Sequence, residues 1–112
     1  MLTIMVHARI KEDKLPEYLK MAALLTDETK GKRPGCISYS FNQSLESPTE
    51  FVLYEQWESQ VHLDNHIQEL CKLLGQPKPG QPLPQKLMEM YEWAKPVFYR
   101  EIDRNALHSF TS

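Results

Sequence analysis

The sequence of 112 residues lacks several features that mark specialised classes of protein. Its only two cysteines, Cys36 and Cys71, form no spaced pair, so we expect no disulfide framework and a reduced, cytoplasmic setting. Because it has no Lys/Arg-rich run and a net charge of -2, we expect no nucleic-acid partner. The longest apolar run, residues 2–10, is too short to cross a bilayer, so no membrane partner is expected either.

What is present is the composition of an ordinary folded protein, with 41% hydrophobic and 25% charged residues. A chain of this length fits one domain with a modest core. We place that domain at residues 1–103, followed by a polar tail at 104–112. Half of the eight prolines fall within residues 76–84, which we interpret as an inserted surface loop because proline fits neither a helix interior nor a central strand.

Hydrophobic periodicity predicts the elements of the first two thirds of the chain. Two-residue alternation predicts strands over Leu2–Ile10, Cys36–Asn42 and Phe51–Glu58. The i, i+3, i+4 spacing predicts one helix from Lys14, capped by Asp13 and ended at Gly31, and a second helix from the cap Ser59 to Gly75.

The last third is predicted to contain a further helix and a final strand. Helical spacing continues from Leu83 to Ala94, Pro96 is expected to end this helix, and Val97–Ile102 is interpreted as a strand. The order strand, helix, strand, strand, helix, extra helix, strand is typical of an α+β protein of the ferredoxin-like, split βαβ type, with a four-stranded antiparallel sheet.

Both faces of that sheet are predicted to be apolar. In the third strand Leu53 and Trp57 point to one face, and Val52 and Tyr54 point to the other. One face can pack on the helices of the same chain, but an uncovered apolar face is unusual for a monomer. We therefore expect a homodimer in which a second copy covers the other sheet face.

The stretch Phe51–Glu58 (FVLYEQWE), followed by His66 on a helix, resembles the signature of the antibiotic biosynthesis monooxygenase family. The resemblance implies a dimeric α/β barrel, and relatives include quinol and anthrone oxygenases, haem-degrading enzymes and enzymes acting on sugar-derived signals. Relatives acting on such signals commonly carry a second histidine where this chain has Cys71. The axial histidine of the haem-degrading relatives has no counterpart in residues 72–76.

Glu55, Trp57 and His66 are the candidate catalytic residues. A carboxylate on an apolar sheet face needs a partner, for which Arg9, Arg100 or His66 is a candidate, although Glu55 could equally be an interface charge. His66 is predicted at the edge of the buried helix face, where it can act as a general acid or base or simply bond to a backbone carbonyl. His62 lies four residues earlier, but Leu63 stands where a metalloprotease motif requires glutamate, so no metal is expected.

Four further residues are candidates for contacting the substrate. His7 and Arg9 share a face of the first strand and could line either a cavity or the dimer seam. Tyr39 and Phe41 add aromatic area on the second strand, although aromatics at strand spacing also serve as ordinary core residues.

The function favoured by the sequence is that of a cofactor-independent monooxygenase acting on an electron-rich aromatic of the quinol or anthrone type. No flavin, nicotinamide or phosphate-binding motif is present, so no cofactor is expected. In this interpretation Trp57 shapes the pocket, His66 shuttles a proton, and Glu55 or Arg9 polarises the substrate oxygen. The alternatives are a non-catalytic module that binds a small hydrophobic metabolite and, less favoured, a haem-binding or haem-degrading protein.

Overall fold

The computed structural model describes residues 1–81 and 83–102. Along the chain it contains β1 (Leu2–Ile10), a 3-10 turn (Glu12–Lys14), α1 (Leu15–Thr29), β2 (Cys36–Gln43), β3 (Glu50–Trp57), α2 (Gln60–Leu74), α3 (Gln85–Met88) and β4 (Tyr91–Arg100). The predictions for the first three strands and the first two helices are confirmed to within a few residues. The expected end of the domain at residue 103 and the tail at 104–112 lie outside the described residues.

The four strands form one antiparallel sheet in the order β2-β3-β1-β4, which confirms the ferredoxin-like, split βαβ architecture. The register places Ile4 of β1 opposite Glu55 of β3 on one side and Phe98 of β4 on the other. Because directly paired residues share a face, these three side chains lie on the helix-covered face of the sheet. Ala8, which follows Ile4 by four residues along β1, is buried on the same face.

The core fills the space between this sheet face and the helices α1 and α2. Tyr18 of α1 is its centre, because it is buried and its ring lies 5.0 Å from that of Phe51 in β3. Leu63 and Leu70 bring the buried face of α2 onto the other end of the sheet. The helices therefore cover one side of the sheet and leave its opposite side open.

The observed helix ends agree with the caps predicted from the sequence, with one exception. The predicted N-cap Asp13 is wrong, since Asp13 lies inside the 3-10 turn and α1 begins at Leu15 without a side-chain cap. Ser59 is confirmed as the N-cap of α2, where its hydroxyl accepts a hydrogen bond from the His62 backbone N–H at 3.4 Å. Gly75, with φ +95°, ends this helix as predicted.

The predicted further helix and final strand are both present in the last third of the chain, but the boundary between them is wrong. The helix predicted from Leu83 to Ala94 is confined to Gln85–Met88, and Ala94 and Pro96 both belong to β4. Pairing with β1 along nearly its whole length determines the conformation of this segment, overriding its helical spacing. β4 is an edge strand, where proline is tolerated because a backbone N–H on the free side needs no partner.

The sheet face away from the helices carries partly exposed apolar side chains beside polar ones such as His7 and Lys95. Trp93 and Tyr99 of β4 are 47% and 48% exposed, and Met5, Val52 and Tyr54 on the neighbouring strands are only half-buried. Within residues 1–81 and 83–102, no helix has the length and apolar character needed to cross a membrane.

Candidate active site

An apolar cavity of about 220 Å³ lies between the helix-covered face of the sheet and α2. Its walls include Ile4 and Val6 of β1, Leu53 of β3 and Leu70 of α2, and the segment from Leu83 to Met88 encloses a further side. Four wall residues carry polar side-chain atoms, namely Glu55, His66, Tyr39 and Tyr91. A ligand in this cavity would therefore meet hydrocarbon on most sides and a small polar group where Glu55, His66 and Tyr39 come together.

Glu55 is the acidic residue of this polar group. It projects from β3, is 6% exposed, and its Oε1 accepts a hydrogen bond of 3.1 Å from Nε1 of Trp57, two residues along the same strand face. Burial raises the pKa of Glu55 to about 7, and the hydrogen bond from Trp57 opposes this rise. Near neutral pH the carboxyl group is thus present in both its ionised and its protonated form.

His66 reaches the same place from α2. It is 2% exposed, so the prediction that it lies at the water-accessible edge of the helix is wrong. Its Nε2 lies 3.8 Å from Oε1 of Glu55, which is too long for a hydrogen bond, and its ring centroid lies 4.6 Å from that of Trp57 and 5.4 Å from that of Tyr39. Within the described part of the chain, Nδ1 is buried without a hydrogen-bond partner.

The environment keeps His66 neutral. Burial, together with the nearby positive charge of Arg33, lowers the pKa of His66 to about 4. The neighbouring carboxyl group acts in the opposite direction, but with its own pKa near 7 it is largely protonated over the range in which an imidazole normally titrates. Glu55, and not His66, is consequently the group poised to accept a proton close to neutral pH.

Trp57 is part of the site but lies behind it. The side chain is fully buried, and it contacts Glu55 and His66 without contributing to the cavity wall. The structure therefore differs from the expectation that Trp57 shapes the pocket. Its geometry suits a residue that holds the carboxyl group and packs on the imidazole.

The four predicted substrate-contacting residues are divided between the two faces of the sheet. Tyr39 and Phe41 line the cavity, with ring centroids 5.6 Å apart. His7 and Arg9 lie on the opposite face, where His7 borders a shallow surface depression and Arg9 forms a 3.2 Å ion pair with Glu92. Of the three candidate partners for Glu55, the structure brings His66 to it and directs Arg9 elsewhere.

Sequence reasoning missed parts of the cavity wall. Tyr91 and Ala94 of β4 line it, but both fall within the predicted third helix. The alternation of Ala94, Pro96 and Phe98 was the available signal, because all three line the cavity from one strand. No local pattern in the sequence connects Arg33 with His66.

Metal-ligating side chains do not converge in groups of three or more within residues 1–81 and 83–102. His62 and His66 share a helix but face different partners. Nδ1 of His62 lies 2.7 Å from the Ser59 hydroxyl, whereas His66 faces Glu55.

The fold and the cavity together define a small α+β protein of the ferredoxin-like class, with a carboxyl group and a neutral imidazole buried beneath its second helix. A sequence profile of the family described as antibiotic biosynthesis monooxygenase matches residues 1–69, which is more than half of the chain. The chain belongs to this family, and the resemblance carried by Phe51–Glu58 and His66 is confirmed.

Solved structures similar to this one span nearly the whole chain. A Nitrosomonas europaea protein ascribed to the antibiotic biosynthesis monooxygenases is 26% identical, with a TM-score of 0.70, over 92% of this chain and 100% of its own. A conserved protein from Methanosarcina mazei Go1 is 25% identical, with a TM-score of 0.70, over 90% of this chain and 92% of its own. Among curated proteins, uncharacterised sll1783 of Synechocystis sp. is 32% identical over 60 residues, which are 54% of this chain and 40% of that protein.

Proposed function

We propose that the protein is a cofactor-independent monooxygenase that oxidises an electron-rich aromatic, of the quinol or anthrone type, with dioxygen. The observation that carries this proposal is Glu55, a buried carboxyl group on the wall of an otherwise largely apolar cavity, with a pKa near 7. Such a group can remove a proton from a weakly acidic substrate near neutral pH. Membership of the family supports the same class of reaction.

The chemistry places small demands on the protein. Deprotonation of a quinol or anthrone gives an electron-rich anion that can itself transfer an electron to dioxygen, and the resulting radical and superoxide combine into a peroxide. For the methylene group of an anthrone, loss of water from that peroxide leaves a carbonyl. For a quinol, the peroxide forms at a ring carbon that carries hydrogen, and loss of water leaves a hydroxyquinone. One oxygen atom thus ends in the product and the other in water, and the substrate supplies all four electrons. The protein needs to supply a base, exclude bulk water and hold the substrate.

In this proposal Glu55 is the base and Trp57 is a positioning residue. The Nε1–H of Trp57 fixes one carboxylate oxygen and stabilises the ionised form. His66, being neutral, can give or take a hydrogen bond as the proton moves between substrate and carboxylate. Tyr39 and Phe41 contact the substrate ring. His7 and Arg9 have no part in the proton transfer, since they lie on the other sheet face.

Oxygen uptake with 1,4-dihydroxynaphthalene, corrected for its reaction in buffer alone, tests the proposal. We expect Glu55→Gln to lower the enzymatic rate by about 10²-fold or more, the range in which a positioned base contributes. Glu46→Gln makes the same chemical change on an exposed loop and serves as the control. An uptake rate that is unchanged in Glu55→Gln would exclude Glu55 as the base.

A binding module is the second candidate, favoured by the same apolar cavity. Such a protein would hold a small hydrophobic metabolite through the cavity wall without turning it over. Saturable binding of an aromatic ligand, together with oxygen uptake no faster than in buffer, would select this function over the first. The haem alternative predicts a shift of the haemin Soret band on addition of protein, and we expect none.

We also propose that the protein is a cytoplasmic homodimer in which the open sheet faces of two copies pack together. Support comes from the exposed aromatics Trp93 and Tyr99 and the half-buried Met5, Val52 and Tyr54 on that face. Light scattering at micromolar concentration should give twice the chain mass of 13.1 kDa. A mass equal to that of one chain would contradict the proposal. The variant Tyr99→Lys, which places a charge in the proposed interface, should shift the measured mass towards that of one chain.

A further inference from the structure

The selectivity of the cavity can be inferred from its size, its charges and the free oxygen of Glu55. From these we infer that the cavity takes uncharged hydroxyarenes of one or two fused rings, with the hydroxyl group on Glu55, and rejects aromatic carboxylates. This inference rests on the proposed function, since it uses the same site, but it concerns ligand choice and is testable without oxygen. It narrows the proposed substrates to the quinols, because an anthrone has three fused rings.

The volume of the cavity limits the number of fused rings in the ligand. A dry, apolar protein cavity of about 150 Å³ is known to hold benzene. The cavity here measures about 220 Å³, and the remaining space of about 70 Å³ is room for a second fused ring and little more. A two-ring ligand would fill the space between Leu53 and Leu70 and place its face against the aromatic residues of the wall.

The carboxyl oxygen of Glu55 that has no hydrogen-bond donor determines which polar group the ligand should carry. Oε1 of Glu55 already receives the hydrogen bond from Trp57, whereas no donor among residues 1–81 and 83–102 reaches Oε2. Because this oxygen is free to accept a hydrogen bond, a ligand that brings an O–H group to it gains affinity over one that brings only hydrocarbon. A hydroxyl group on the ring is the smallest group that does so.

The charges of the wall exclude anions. Among residues 1–81 and 83–102, the ionisable groups of the wall are Glu55, His66 and the two tyrosines. Neither Glu55 nor His66 can neutralise an incoming carboxylate, because one is itself acidic and the other is neutral. Arg33 acts on His66 electrostatically but does not belong to the wall. An aromatic acid would therefore lose its hydration and meet a like charge without a compensating cation.

Calorimetric titration at pH 8 without oxygen tests the inference with three probes of similar size, namely 2-naphthol, naphthalene and 2-naphthoate. None of the three is a quinol, so binding is measured apart from turnover. We expect 2-naphthol to bind at least about tenfold more tightly than either of the others, as expected of a hydrogen bond to a charged group. Glu55→Gln should reduce this preference over naphthalene several-fold and weaken the rejection of 2-naphthoate, whereas Glu46→Gln should change neither.

Equal affinities for 2-naphthol and naphthalene would overturn the role of Glu55 in binding the hydroxyl group. Tight binding of 2-naphthoate would overturn the exclusion of anions. Absence of binding by all three would overturn the assignment of the cavity as an aromatic-binding site. Failure of the proposed function has a different signature. In that case the preference for 2-naphthol stands while 1,4-dihydroxynaphthalene consumes no more oxygen than in buffer.

Discussion

Glu55 and His66 should make opposite contributions to the pH dependence of folding. Burial raises the pKa of Glu55 from 4.5 to about 7, so the folded state retains a proton that the unfolded state releases. Its contribution to stability is therefore complete below pH 4.5 and is lost as the pH rises towards 7. Burial lowers the pKa of His66 from 6.5 to about 4, so its contribution is complete above pH 6.5 and is lost as the pH falls towards 4.

Between pH 4.5 and 6.5 the two slopes should cancel in the native protein, because folding then moves one proton from the imidazole to the carboxyl group without net uptake or release. Each pKa unit corresponds to about 1.4 kcal/mol. Relative to the native protein, the free energy of unfolding should rise across this window by about 2 kcal/mol in Glu55→Gln and should fall by about 2 kcal/mol in His66→Gln.

Urea denaturation at pH 4.5, 5.5 and 6.5 measures these slopes, and Glu46→Gln is the control for removal of an exposed carboxyl group. All other titrating groups are common to the four proteins, so their contributions cancel when each variant is compared with the native chain. If the curves of Glu55→Gln and His66→Gln run parallel to that of the native protein, the two side chains do not have these shifted pKa values.

Three smaller changes test other contacts. Trp57→Phe removes the hydrogen bond that stabilises the carboxylate, so the midpoint of the pH profile of oxygen uptake should move up by about one unit; an unmoved midpoint would contradict this role. Gly35→Ala should destabilise by about 2 kcal/mol or more in urea denaturation, because the backbone has φ +78° and a Cβ there would overlap the His62 ring. Gly31→Ala is its control, with φ +75° and open space, and should cost clearly less. Ser59→Ala should cost about 1 kcal/mol by loss of the helix cap, and an unchanged urea midpoint would count against the cap.

The sequence was informative where a local pattern determines the structure. Alternation over Leu2–Ile10 and the serine cap at Ser59 are properties of neighbouring residues, and both predictions were confirmed. The β4 segment could not be assigned in this way, because Leu87, Tyr91 and Ala94 fit helical spacing and only pairing with β1 decides the outcome. A short apolar segment is ambiguous by periodicity until its partner strand is known.

The site shows the same division between local and long-range information. Alternation placed Glu55 and Trp57 on one strand face, and helical spacing brought His66 close to the buried stripe. The exclusion of Arg9 from this face depends on the register that pairs it with Glu50 and Trp93, and register is a property of three strands together. The depth of His66 likewise depends on how closely α2 packs on the sheet, which no local pattern records.

Glu55, Trp57 and His66 lie within twelve consecutive residues, whereas much of the remaining cavity wall comes from the segment between Leu83 and Phe98. The family profile ends at residue 69, between these two parts. The polar group and the wall that faces the ligand are thus encoded by separate stretches of chain. Substitutions after residue 69 can therefore reshape the cavity while leaving the carboxyl group of Glu55 and its hydrogen bond from Trp57 intact.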